Sequence, residues 1–232
     1  AVETVARLQI PDFFQSPTLY AALGSSSEEY SLFGDKVIFS NGESRKVNSY
    51  REICNETVVP HSHAKHSHFK GLPFMVGALA RVMLNGHKLD SEAKKAKEKL
   101  GLSSFTENIL LNNSAQAIEI VYSIKRCIQI IAQLLKRGIK NEKPVKIRPK
   151  VGQGTAAVEA PRGTLYHSYT FDNKGRITKA DVITPTAQNL ANLEKDFRAL
   201  LNRLVDEQQD ALQAKLEMIA RAYDPCISCS VH

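Results

Sequence analysis

The chain has no tryptophan, three methionines and only four cysteines among its 232 residues. So few thiols over this length exclude a disulfide-stapled secreted scaffold, where cysteines are dense and cores small. There is also no long uncharged run. The most apolar stretch, residues 109–135, is interrupted by Asn112, Asn113, Gln116, Glu119, Lys125, Arg126 and Gln129. It falls short of the roughly 18 consecutive apolar residues of a membrane-spanning helix. Residues 1–13 contain Glu3 and Arg7 and no apolar centre, so no secretory signal is expected there. These absences lead us to expect no membrane span and a cytoplasmic location.

What remains is the composition of a folded protein, 43% hydrophobic and 24% charged, enough to bury a substantial core. Lysine and arginine outnumber acidic residues 31 to 24, a net charge of +7. Such a charge is compatible with an acidic partner. However, the basic run from Lys136 to Lys150 has no interleaved aromatic residue, so a solvated face is expected and no nucleic-acid partner.

Local patterns predict an α+β fold, predominantly helical. Residues 1–56 read as an irregular segment with a hairpin, and residues 57–232 as the main region of the same structural unit. Asn41-Gly42, between Lys36–Phe39 and Arg45–Val47, predicts a tight turn because both residues tolerate positive φ. A second hairpin is expected around residues 172–175, between 164–170 and 176–183. Ser91 is the expected cap of a short charged helix ending at Gly101. Ile120, Ile124, Cys127, Ile128, Ile131 and Leu135 recur at helical spacing and predict a long helix with a buried apolar stripe, ended by Gly138. Cys127 is expected to be buried on that stripe. Two further helices carry Leu193 to Leu204 and Leu212 to Tyr223, the last stopped by Pro225.

Two clusters could carry chemistry. The segment from His61 to His68 has four imidazoles. On a strand, His61 and His63 would share one face and His66 and His68 the other, so ligation by all four would need a loop; packed or surface roles are expected. Near the end, Cys226 and Cys229 are three residues apart, a spacing that can place two sulfurs on one side of a turn. A redox pair or half of a structural zinc site has the same spacing. A redox pair usually opens a helix, whose dipole lowers the thiol pKa, whereas this pair follows one. Cys226, Cys229 and His232 supply three of the four ligands a closed zinc site requires.

The segment Arg221 to His232, reading R-A-Y-D-P-C-I-S-C-S-V-H, closely resembles the C-terminus of [NiFe]-hydrogenase large subunits, whose processed chains end D-P-C-x-x-C-x-x-H. Three more blocks are similar to that family, in the family's order. Glu159-Ala-Pro-Arg-Gly163 looks like its E-A-P-R-G segment, and Ile183-Thr-Pro-Thr-Ala-Gln-Asn189 like its V-P-T-x-x-N segment. Val76-Gly-Ala-Leu-Ala-Arg81 resembles its V-G-P-L-A-R, with Ala78 in place of proline. The wording of these motifs looks most like the cytosolic, cofactor-linked group (bidirectional and sulfhydrogenase-type enzymes).

The resemblance implies the C-terminal part of such a subunit, with long bundled helices, peripheral β-hairpins and a Ni-Fe(CO)(CN)2 centre for reversible heterolysis of dihydrogen. It makes Cys226 a terminal nickel ligand that also accepts a proton, and Cys229 a bridging ligand. Arg162 is implied to lie over the open metal position, with Pro161 beside it also among the cofactor-binding residues and Asp224 pairing to the arginine. Thr186 donates to cyanide, and His232 binds magnesium or a similar ion. Ending at His232 resembles the form left by a maturation protease. Two family motifs, R-x-C-G-x-C and the R-x-E-G segment with its glutamate, are absent from this sequence. The other two nickel thiolates are therefore expected from another chain or from the rest of a longer one. Partners implied are an iron–sulfur small subunit, since no cysteines remain to hold clusters, and diaphorase or flavin subunits. The alternative is a non-catalytic remnant or a zinc-binding structural subunit of a redox complex.

Overall fold

The computed structural model describes residues 2–30, 32–138, 140–205 and 207–231. A short helix, α1 (Val2–Ala6), precedes β1 (Leu19–Gly24), which is buried from Tyr20 onward. β2 (Lys36–Phe39) pairs antiparallel with β1, and the Asn41-Gly42 turn, with Gly42 at φ 86°, returns the chain as β3 (Ser44–Lys46). After α2 (Tyr50–Ile53), β4 (Thr57–Val59) and β5 (Ser62–His66) form a separate two-stranded ribbon. β6 (Phe74–Met75) then runs parallel to β1 and completes a sheet of order β3-β2-β1-β6.

The helices pack on this sheet. α3 (Ala78–Asn85) buries Ala78 to Val82. α4 (Ser91–Lys99) is capped by Asp90, not Ser91: the Asp90 carboxylate accepts from the Glu92 and Ala93 amides, while the Ser91 hydroxyl turns to Glu92. An anionic cap also suits the positive end of the helix dipole. α5 (Asn112–Arg137) runs 26 residues, about 39 Å at 1.5 Å per residue.

β7 (Gly152–Ala160), β8 (Gly163–Phe171) and β9 (Ile177–Ile183) form an antiparallel sheet with the expected turn at residues 172–175. There the Asp172 carboxylate accepts from the Lys174 and Arg176 amides. β7 was not expected as a strand: its glycines and alanines have little strand preference of their own, and nine residues paired in register with β8 supply it. α6 (Pro185–Arg203), with proline in its first turn, α7 (Gln209–Tyr223) and the single-turn α8 (Ile227–Ser230) complete the chain. The architecture is the expected α+β.

Two apolar clusters hold these layers. One joins α3, α5, α6 and α7 through Leu79, Val82, Ile118, Leu200 and Ile219. The other lies between the sheets, with Leu23, Phe39, Phe74, Tyr166 and Ile183, and there Phe39 stacks on Phe69 at 4.0 Å between ring centroids.

The stripe on α5 forms but is not buried. Ile120, Ile124, Ile128, Ile131 and Leu135 are 53–69% exposed, and Cys127 is exposed with them. The first half of the helix packs on the body, burying Ala115, Ala117, Ile118 and Tyr122; Lys125 and Arg126 then pair with Glu92 and Glu29, and beyond them nothing among the described residues covers the stripe. Among the described residues, no helix is long and apolar enough to cross a membrane. Residues 140–150 are exposed throughout.

For the isolated chain, Ile124→Glu and Ile128→Lys should each change unfolding free energy by less than about 0.5 kcal/mol, since each residue keeps more than half of its surface in water. Ile118→Ala, in the buried half, should cost about 2–5 kcal/mol. Chemical denaturation of the three variants checks the contrast.

Candidate metal centre

Two of the four sequence blocks interlock through close approaches that only glycine allows, and side-chain hydrogen bonds tie the other two to them. At Gly77, φ is 119° and a Cβ would stand 3.1 Å from the Arg162 carbonyl oxygen; at Gly163, φ is 135° and a Cβ would lie 2.2 Å from the Val76 side chain. Val76-Gly77 and Arg162-Gly163 thus interlock. Asn189 of α6 ties the pair further, accepting from the Val76 amide at 2.9 Å and donating to the Arg162 carbonyl at 3.3 Å.

The β7–β8 turn, which carries Pro161 and Arg162, is held from below by Arg81. This guanidinium is 2% exposed and donates to Glu119 through two nitrogens at 2.6 Å and to Glu159 at 2.9 Å. It also donates to the carbonyls of Ala160 and Pro161 at 2.9 and 3.0 Å. Burial works against its charge, but Glu119 and Glu159 outweigh burial and hold it above the ordinary arginine range. The other Glu159 oxygen accepts from the Leu23 amide and the Thr164 hydroxyl, so this carboxylate joins β1, β7 and β8.

On that platform, Arg162 reaches the C-terminal segment. Its Nε donates to the Asp224 carbonyl at 2.6 Å and its Nη2 to the Asp224 carboxylate at 3.1 Å. Asp224 sits in the left-handed region, φ 48° and ψ 54°, just past α7, a conformation aspartate tolerates better than most residues. This bend and Pro225 turn the chain towards α6. There the Cys226 amide donates to the Thr186 hydroxyl oxygen at 3.1 Å, leaving the hydroxyl hydrogen available to another acceptor. The Ser230 hydroxyl donates to the Cys226 carbonyl, and Val231 bridges to Ala64 of β5.

Cys226 and Cys229 meet on one side of this turn, with Cα atoms 5.3 Å apart and their sulfurs joined as a disulfide. Reduced, the same turn presents two neighbouring thiols, the donor set for a soft divalent metal. The other cysteines do not join them: Cys127 is exposed on α5 and Cys54 is buried, where burial pushes its thiol well above the usual range. The structure therefore brings together Pro161, Arg162, Thr186, Asp224, Cys226 and Cys229. His232 lies outside the described residues.

The end of α7 is anchored by groups that no motif revealed. The Tyr223 hydroxyl donates to Asp196 and accepts from Asn192, both at 2.6 Å, and Asn112 of α5 donates to the Ala222 carbonyl at 2.8 Å. Burial raises the pKa of Asp196. The histidine stretch also departs from expectation. His61 lies in the turn before β5 rather than on the strand, so His61 and His66 meet at Glu194 of α6 instead of facing apart.

Residues 26–232 match the family model of the nickel-dependent hydrogenases, and the chain belongs to that family. It is 42% identical over 231 residues to the alpha subunit of sulfhydrogenase 1 from Pyrococcus furiosus, covering 99% of this chain and 53% of that one. It is 33% identical over 202 residues to a chain of the F420-non-reducing hydrogenase from Methanothermobacter thermautotrophicus, covering 81% of this chain and 41% of the relative. A solved NAD+-reducing [NiFe]-hydrogenase in the H2-reduced state shares the fold, with a TM-score of 0.75 at 24% identity over 95% of this chain and 52% of that one. The chain thus spans about half the length of its sulfhydrogenase relative and of that solved chain.

Arg81→Met should destabilise the chain by about 3–5 kcal/mol, because it leaves the Glu159 and Glu119 carboxylates unpaired beneath the turn. Gly163→Ala should cost more than about 2 kcal/mol, through both its positive φ and the clash with Val76. Urea unfolding of each variant measures both effects.

Proposed function

We propose that this chain is the C-terminal portion of the catalytic subunit of a [NiFe]-hydrogenase. The observation that carries the reading is the meeting of three separate segments: Arg162 closes on Asp224 while Thr186 holds the Cys226 amide. Reduced Cys226 and Cys229 would hold nickel, Cys229 also bridging to an iron that carries carbon monoxide and two cyanides. That centre, when bound, supplies the reversible heterolytic cleavage of dihydrogen. His232 would hold a magnesium-type ion.

The chain's own residues serve that chemistry in distinct ways. The Cys226 thiolate accepts the released proton, a role its partial exposure permits. Arg162 keeps a planar cation in fixed orientation, because Asp224 takes two of its nitrogens, and a preoriented charge stabilises developing charge without reorganising. Thr186 accepts from the Cys226 backbone and so has its hydrogen free to donate to a cyanide.

The other two thiolates come from a portion that this chain does not contain, and the exposed stripe on α5 fits it. A hollow lined by Tyr30, Leu32, Arg81, Ile120, Ile124 and Pro161 continues the stripe towards the Arg162 turn. The occupant we assign to this face is the remaining half of the catalytic subunit, matching the half-length coverage of the relatives. Electrons leave through an iron–sulfur small subunit, with diaphorase or flavin subunits beyond it, in the cytoplasm, and a maturation protease acts on the catalytic subunit.

An infrared spectrum of the complex from its native source tests the reading: metal-bound carbon monoxide and cyanide bands are expected. Their absence from an intact complex would indicate a remnant or zinc-binding subunit instead. Within the active complex, Cys226→Ala and Cys229→Ala should abolish dihydrogen oxidation and lower nickel content. Arg162→Lys should retain both metals but cut turnover at least tenfold, since a single ammonium cannot reproduce the planar fork. Metal analysis and a dihydrogen-uptake assay on the same preparations read both outcomes.

A further inference from the structure

We propose that His61, His66 and Glu194 form a binding site for a divalent first-row transition ion, separate from the cysteine pair. One donor atom from each of the three lies within 4.8 Å of the others. His61 Nε2 is hydrogen-bonded to Glu194 Oε1, and His66 Nε2 stands 3.6 Å from the same oxygen. Neighbouring ligands around tetrahedral zinc, each 2.0–2.1 Å from the ion, lie about 3.3 Å apart. The three groups therefore sit at near-ligand spacing, and a small rotation of the exposed His61 ring makes room for an ion.

The set is chemically selective. Two imidazoles and one carboxylate with an open position suit zinc, cobalt, nickel or ferrous iron and are poor donors for magnesium or calcium. His66 is 4% exposed on β5 and so is fixed by packing, and the Ser67 amide beside it donates to the Ala187 carbonyl of α6. Glu194 is oriented in turn by Arg198, which donates to its second oxygen at 3.1 Å; such support of a ligand from behind is usual at metal sites. The His61 and His66 rings meet edge to face, 80° apart with centroids at 5.9 Å, and do not stack. Glu194 is eight residues beyond Thr186 on α6, about 12 Å along the axis. The ion would therefore pin the β5 ribbon to the helix whose first turn holds Cys226.

Cobalt(II) titration of the full chain, with the cysteine pair kept oxidised, tests the proposal by visible absorption. One equivalent should bind, giving the weak d–d bands of nitrogen and oxygen ligands without the intense near-ultraviolet absorption of thiolate coordination, and zinc should displace it. His61→Ala, at an exposed site, and Glu194→Gln, an isosteric change at a half-buried one, should weaken binding at least tenfold, whereas His63→Ala, exposed in the same stretch, should not. Absence of binding tighter than millimolar, unchanged binding in His61→Ala, or equal loss in His63→Ala would each overturn the proposal and leave His61 and Glu194 as an ion pair. With the cysteines oxidised, none of these results depends on the nickel reading.

Discussion

The buried ion cluster of Arg81, Glu119 and Glu159 is the constraint from which the rest of the centre follows. A guanidinium 2% exposed beside a fully buried carboxylate would be ruinous alone, since each charge loses its water. It is tolerated because its hydrogen-bonding directions are used: two carboxylates, two carbonyls, a backbone amide and the hydroxyls of Thr164 and Tyr30 share the load. The arrangement makes α3, α5, β1 and the β7–β8 hairpin one rigid body. The tip of that hairpin, where Arg162 sits, inherits its position from residues remote in sequence from the C-terminal tail.

The tail itself is a short strap with little apolar content. Residues 224–231 are retained by polar contacts at three points, Arg162 on Asp224, Thr186 under Cys226 and Val231 against β5, while Ser230 on the Cys226 carbonyl closes the strap's own turn. Each is worth on the order of 1 kcal/mol in water, and together they fix the two sulfurs relative to the arginine. The heavier anchoring comes just before the strap, where Tyr223 is wedged between Asn192 and Asp196. Aim and attachment are thus separate jobs of adjacent residues.

Features governed by neighbours in sequence were readable without a structure. The turns at Asn41-Gly42 and residues 172–175, and the helix ends at Gly101, Gly138 and Pro225, depend on local φ preferences and appeared as expected. Strands β1 and β7 were hidden because alanine and glycine take strand form there only through their partners. Periodicity in α5 correctly revealed an apolar face, yet a period says that a face needs a cover and nothing about where the cover is. At the centre, short motifs pointed to Arg162, Thr186, Asp224 and the cysteines. The pairing of Arg81 with Glu159, 78 residues away, has no local signature, and His61 reached Glu194 only because a turn freed it from strand parity.

The uncovered end of α5 has a consequence for how this polypeptide behaves in a test tube. A row of isoleucines and a leucine on a helix that overhangs the body is self-complementary in chemistry, since one such stripe can zip against another. With that stripe uncovered, the chain should therefore associate with itself as concentration or ionic strength rises, its positive charge opposing association only at low salt. Preparation of a monodisperse sample becomes a question of what else is in the tube.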